Sequence, residues 1–231
     1  MSSVTATPGI GAVAVPSRAA VASRKYVVEL IGAFFLVFTV TMTASVAGVI
    51  LAPLAIGSAL MVMIYAGGHI SGGHYNPAVT VAALVRGRIG AADAVGYWIA
   101  QFVGGALAAL IARGVLPRGP VAPMNLTGHI GAAFVAELLF TFALTWVVLN
   151  VATSKDHPNN SFYGLAIGFT VMTGAVAVGA ISGGAFNPAV AVGASIMGMF
   201  AWSNIWLYLV AEVVAGIVSG LAFRVLNPAD K

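Results

Sequence analysis

The sequence predicts an all-α integral membrane protein with six spanning helices and two half-helices in an inverted repeat. Three observations carry this expectation. Of 231 residues, 60% are hydrophobic and only 7% charged, against roughly 25% charged in an ordinary soluble domain. The apolar residues fall into six long runs and two short ones. One motif recurs at a constant offset of 111 residues.

Composition bounds the rest. With a mean hydropathy of +1.01, the chain lacks the polar surface a soluble fold of this size needs, so lipid is its natural solvent and one membrane domain is expected. It contains no cysteine, which excludes disulfides and thiolate metal sites. The net charge of +4 reads as a topology signal rather than as a nucleic-acid footprint.

The elements follow in order. Residues 1–24, rich in Ser, Thr, Ala and Pro, lack the basic start and compact apolar core of a cleaved signal peptide and are expected to form a disordered cytoplasmic tail. A channel domain is expected over 25–229, with repeat one at about 25–115 and repeat two at about 130–226. Six runs reach the ~20 residues a bilayer crossing requires, at about 25–49, 52–71, 92–115, 130–152, 162–181 and 203–226. The short runs, about 77–86 and 188–198, cover only about half of a ~30 Å hydrocarbon core at ~1.5 Å per residue. Six crossings place Arg18, Arg24, Lys25, Arg86, Arg88, Lys155, Arg224 and Lys231 on one side, and Arg113 and Arg118 on the other. The positive-inside rule then puts both termini in the cytoplasm.

The repeat is internal and offset. Leu54-Ala55-Ile56-Gly57 recurs as Leu165-Ala166-Ile167-Gly168, and Ile70-Ser71-Gly72-Gly73 as Ile181-Ser182-Gly183-Gly184. Asn76-Pro77-Ala78-Val79 recurs as Asn187-Pro188-Ala189-Val190, Gln101 matches Glu212, and Gly105 matches Gly216. Glu29 matches Glu137 at an offset of 108. Each half has three spans, an odd number, so the copies enter the membrane from opposite sides and are expected to form a site at the midplane.

Asn-Pro-Ala has a physical meaning in this setting. Asn is a strong helix N-cap and Pro is favoured at the first helical position. Each copy therefore starts a short helix inside the membrane, where irregular backbone is tolerated only if it is buried or lines a wet cavity. The two half-helices point their N-termini at each other, and two positive dipole ends repel cations, protons included. Each Asn amide can donate to a passing water, with the carbonyls near 69–75 and 180–186 as a ladder of acceptors. A third copy, Asn227-Pro228-Ala229, has no apolar run after it and is read as coincidence.

The run from Gly68 to Thr80, through His69, His74 and Asn76, resembles the first signature loop of the major intrinsic proteins, the aquaporin family. Ser182-Gly183-Gly184-Ala185-Phe186-Asn187-Pro188-Ala189-Val190 resembles the second, and Ala100-Gln101-Phe102-Val103-Gly104-Gly105 is also family-like. The resemblance covers about 25–226. It implies a homotetramer with one pore per subunit, conducting water and small neutral solutes. It also implies that Glu29 and Glu137 brace the loops leading into the half-helices; Gln101 and its match Glu212 are read as further bracing residues, and His69 and His74, which flank the first loop, as shaping it by hydrogen bonds, with pH sensing as the alternative.

The chain departs from the family at Val190, where many members carry Arg. By the family's spacing the narrow outer ring falls on Ile56, Ala175, Gly184 and Val190, without charge or His and with two very small side chains. Val there, and the run Ala185–Ala191, resemble the tonoplast intrinsic proteins of plants. Glycerol facilitators typically place Arg-Asp after the second motif, and this chain has Val190-Ala191. A wide apolar filter is expected, passing water with some of glycerol, urea, ammonia or hydrogen peroxide.

The remaining signals are weaker. Three intramembrane acids raise the alternative of a proton relay, but bracing is the reading preferred for Glu29, Glu137 and Glu212. Gly216/Gly220 and Gly105/Ala109 suit close helix packing. Ser154–Ser161, containing His157, is read as a plain connector rather than a gate. No metal site, cofactor, nucleophile–base pair or phosphate loop is evident, so an enzyme is not expected. The rivals are a coupled secondary transporter and a closed structural membrane protein. The expected address is the plasma or inner membrane, with the vacuolar membrane as the alternative.

Overall fold

The computed structural model describes residues 18–44, 50–115 and 121–230. They form α1 (Arg18–Ala44), α2 (Ala52–Ser71), α3 (Pro77–Arg86), α4 (Ala91–Val115), α5 (Ile130–Thr153), α6 (Tyr163–Ser182), α7 (Pro188–Met197) and, after a 3-10 turn at Trp202–Asn204, α8 (Ile205–Leu226). Six of these are long and apolar enough to cross a membrane, while α3 and α7 are half as long. The fold is therefore all-α and of the expected type.

One boundary differs from expectation. Helix α1 begins at Arg18, so residues 18–24 are helical rather than part of a tail. The run Arg18-Ala19-Ala20-Val21-Ala22 consists mainly of good helix formers. Residues 1–17 and 45–49, with the Arg118 and Lys231 used for orientation, lie outside the described residues.

The two repeats, α1–α4 and α5–α8, interlock. Half-helix α3 packs against α8 of the other repeat, α7 packs against α4, and α2 crosses α6. The α2/α6 crossing depends on one glycine from each repeat. A Cβ on Gly57 would lie 2.6 Å from the carbonyl oxygen of Gly168, and a Cβ on Gly168 would strike that of Gly57. Gly216 admits α3 in the same way, since its Cβ would lie 2.6 Å from the Ala78 oxygen. Small residues let helix backbones approach closely in lipid, where dispersion replaces the hydrophobic effect as the packing force.

The third Asn-Pro-Ala starts no helix. Asn227 ends α8, its amide donating to Phe223 O at 2.9 Å, and Asp230 N donates back to Asn227 O at 3.0 Å. This turn delivers Asp230 to Arg86 at the C-terminal end of α3. Arg86 Nη2 lies 2.8 Å from Asp230 Oδ1, the Lys155 amide donates to Oδ2 at 2.9 Å, and Arg86 Nε donates to Thr153 Oγ1 at 2.9 Å. The guanidinium also stacks 4.1 Å from the Phe223 ring centroid. Arg86 and Asp230 are only 5% and 6% exposed, so the turn forms a latch among α3, α5, the α5–α6 loop and the end of α8.

Candidate functional site

The site is built around the N-termini of α3 and α7. Asn76 and Asn187 are extended N-caps, each side-chain oxygen accepting from the amide two residues on, Ala78 N at 2.8 Å and Ala189 N at 2.9 Å, with Pro77 and Pro188 in the first turn. The chain reaches each cap through a left-handed elbow. Gly72 and Gly73 have φ of 90° and 65°, and Gly183 and Gly184 have 93° and 66°. Tyr75 and Phe186 also have positive φ, 48° and 49°, which is unfavourable for bulky residues and requires support from outside the loop.

That support is a buried carboxyl in each repeat. Glu29 Oε1 accepts from Ser71 Oγ at 2.7 Å and His74 N at 2.9 Å, and Oε2 accepts from Tyr75 N at 2.7 Å and Gln101 Nε2 at 2.8 Å. Glu137 repeats the first three: Ser182 Oγ at 2.6 Å, Ala185 N at 3.0 Å and Phe186 N at 2.8 Å. Tyr97 and Tyr208 complete the pattern by donating to the carbonyls of Ser71 and Ser182. Glu29, Glu137, Gln101 and Glu212 are all fully buried, and Glu29 and Glu137 each serve as a multi-point acceptor for otherwise orphaned loop amides.

The two caps are tied together across the repeat boundary. Asn76 Nδ2 donates to Phe186 O at 2.8 Å and Asn187 Nδ2 donates to Tyr75 O at 2.9 Å. The N-termini of α3 and α7 therefore meet, and each carries a partial positive charge of roughly half a unit. Both Asn side chains line a narrow cavity of about 20 Å³, little more than the ~10–15 Å³ one water needs.

The cavity lining obeys the repeat. Leu36 and Val40 are matched by Leu144 and Val148 at an offset of 108. Ile56, Leu60, Gly73, His74, Asn76 and Val79 are matched by Ile167, Val171, Gly184, Ala185, Asn187 and Val190 at 111. Three of the four residues expected at the outer ring, Ile56, Gly184 and Val190, line this cavity. Ala175 does not. It lies on α6 one turn beyond Val171, and its Cα would be 3.5 Å from a Cβ on Gly184.

His74 and His69 separate. His74 Nδ1 is 3.0 Å from Thr80 Oγ1, which also accepts from Gln101 Nε2 at 3.0 Å, and its ring packs edge-on to Tyr97. His74 thus belongs to the brace, and with Val148 it also lines the wide mouth beside the narrow cavity, about 540 Å³. His69 is exposed in the last turn of α2 and lines a neighbouring mouth pocket with His157. Because α2 continues helically to Ser71, His69 is rotated away from the Glu29 side, which corrects its expected place in the brace. Lys25, Arg88 and Lys155 ring the wide mouth that His74 lines.

Several functional residues escaped the sequence reading. Ser71/Ser182 stood in the aligned repeat without a role assigned, and Tyr97/Tyr208 also obey the 111 offset and could have been found by extending the repeat alignment to every polar residue. The apolar lumen pairs obey it too, but nothing in an apolar helix marks which Leu or Val faces water.

Comparison with known proteins follows the same line. Residues 16–223 match the family model "Major intrinsic protein". The chain is 42% identical over 217 residues to the glycerol uptake facilitator protein-like 6 of Lactiplantibacillus plantarum, covering 90% of this chain and 100% of that protein. It is 38% identical over 184 residues to aquaporin TIP1-1 of Arabidopsis thaliana, covering 77% of this chain and 72% of the relative. The X-ray structure of the aquaglyceroporin from Plasmodium falciparum superposes with a TM-score of 0.76 at 22% identity, covering 90% of this chain and 98% of that one.

Proposed function

The chain belongs to the major intrinsic protein family of membrane channels for water and small solutes, and we propose that it is a passive pore with a wide apolar filter. The observation that carries this reading is the meeting of Asn76 and Asn187 at two half-helix N-termini inside a narrow cavity. Two positive dipole ends oppose cations and protons, while each Asn amide retains a second N–H for a passing hydroxyl or water. Lumen carbonyls of the two elbows accept in turn.

The filter is Ile56, Gly184 and Val190, which line the cavity, with Ala175 set behind Gly184. None is charged, so rejection is by size and by loss of hydrogen bonds. Such a ring admits water together with glycerol, urea, ammonia or hydrogen peroxide. The name of the relative from L. plantarum refers to glycerol, and that of the relative from A. thaliana to water, which supports a solute set spanning both. The bracing residues Glu29, Glu137, Gln101, Glu212 and His74 keep the loops in register.

The assembly is a homotetramer with one pore per subunit, spanning a plasma or inner membrane, or alternatively a vacuolar one. Exposed apolar side chains on α8, among them Val210, Val214, Val218 and Leu221, suit lipid or a neighbouring subunit. The mouth bearing Lys25, Arg88 and Lys155 faces the cytoplasm by the positive-inside rule.

Labelled glycerol uptake into proteoliposomes tests the reading. A passive pore equilibrates glycerol without accumulating it, and imposed sodium or proton gradients leave the plateau unchanged. Accumulation above the outside concentration means a coupled transporter instead.

A further inference from the structure

The two braces differ at one place. In repeat one the fourth donor to Glu29 is the Gln101 amide, at 2.8 Å from Oε2. In repeat two the corresponding position is Glu212. Its Oε1 accepts from Asn187 N at 3.0 Å, next in the chain to the Phe186 amide held by Glu137 Oε2. The two carboxyls therefore accept from consecutive backbone amides, which makes them neighbours behind the second half-helix. Glu212 Oε2 is fully buried and has no hydrogen-bond partner. An ionised carboxylate can only accept, and so can its neighbour.

Among the described residues, the donors at the pair are already engaged. Ser182 Oγ, Ala185 N and Phe186 N serve Glu137. Asn187 N serves Glu212 Oε1, Asn187 Nδ2 serves Tyr75 O, and the Tyr208 hydroxyl serves Ser182 O. Among the described residues no Lys, Arg or His forms an ion pair with either acid. Two adjacent buried carboxyls cannot both be ionised without a compensating cation.

We propose that Glu212 and Glu137 form a proton-binding site behind the second half-helix, in which a protonated Glu212 Oε2 donates to Glu137 as Gln101 donates to Glu29. The proton supplies the fourth donor that completes the brace. It also holds the pair at one negative charge. A second negative charge at the Asn187 amide would offset the positive end of α7, which on the channel reading opposes cations. Glu212 is thus a positioning residue for Asn187, and its proton is part of the electrostatic setting of the lumen.

Infrared spectroscopy of the full chain in lipid bilayers at neutral pH tests this. The parent should show the carbonyl stretch of a buried protonated carboxylic acid, shifting in D2O. Glu212→Gln should abolish the band and keep the parent's thermal unfolding midpoint, since the Gln amide replaces the acid O–H. Gln101→Glu should build the same pair in repeat one and add a second band. No acid band in the parent, a band unchanged in Glu212→Gln, or no added band in Gln101→Glu would overturn the proposal. None of these readouts depends on flux, so the channel reading stands or falls separately.

Discussion

Asn76 and Asn187 hold each other's loops: Asn76 donates to the carbonyl just before Asn187, and Asn187 donates to the carbonyl just before Asn76, at 2.8 and 2.9 Å. Neither half-helix can move without breaking a buried bond to the other. Asn187→Ala removes the cap on Ala189 N and the bond to Tyr75 O together. It should lower stability by about 1–3 kcal/mol, the range for buried polar groups left unpaired. Equilibrium unfolding in mixed detergent micelles measures it, and an unchanged midpoint would mean the reciprocal bonds contribute nothing.

Val190 is the position where charge is most informative. It is 4% exposed and lines the cavity beside Asn187. Val190→Arg should narrow the outer lumen and reduce glycerol and urea permeability about tenfold, equivalent to ~1.4 kcal/mol of added barrier, with a smaller effect on water. Equal solute permeabilities in parent and variant, measured on the same vesicle preparation, would remove Val190 from the filter.

The α2/α6 crossing predicts a packing-sensitive glycine pair. Gly57→Val forces side-chain atoms against the Gly168 carbonyl and should cost about 1–3 kcal/mol through overpacking. Gly131→Ala meets nothing within 4 Å and should be silent. Detergent-solubilised yield and melting temperature distinguish the two, and equal behaviour would contradict the crossing geometry.

The latch should be pH-dependent in one direction. Burial pushes the Asp230 carboxyl up, but the Lys155 amide and the Arg86 guanidinium outweigh it and hold the group below the ordinary Asp range. A carboxyl with a depressed folded value contributes stability above the unfolded Asp value of about 3.9 and loses it as pH falls through the folded value. Asp230→Asn should therefore melt below the parent at neutral pH, and the gap should close as pH drops below about 4. A gap that is constant with pH would assign the effect to packing alone.

Much of this was legible in one chain because the fold is written twice. The offset of 111 picked out both caps, while the braces and three cavity-lining residues came from the family resemblance and its spacing. Ala175 was placed by the family's spacing along α6, and it does not line the cavity. His69 was grouped with His74 by proximity in sequence, but helix α2 runs past it and turns it outward. The latch was invisible because Arg86 and Asp230 meet only in three dimensions, 144 residues apart, through a turn whose motif read as coincidence. The contrast between Gln101 and Glu212 was visible in the alignment of the halves, yet its meaning required the hydrogen-bond inventory around Glu137.

The most direct test of the central claim is stopped-flow light scattering on vesicles containing the pure protein, challenged separately with sucrose, glycerol and urea. The account predicts fast shrinkage in sucrose, and shrinkage followed by fast re-swelling in glycerol and urea, all above the rate of empty vesicles. Fast shrinkage in sucrose with re-swelling no faster than empty vesicles would contradict the wide apolar filter and leave a water-selective pore.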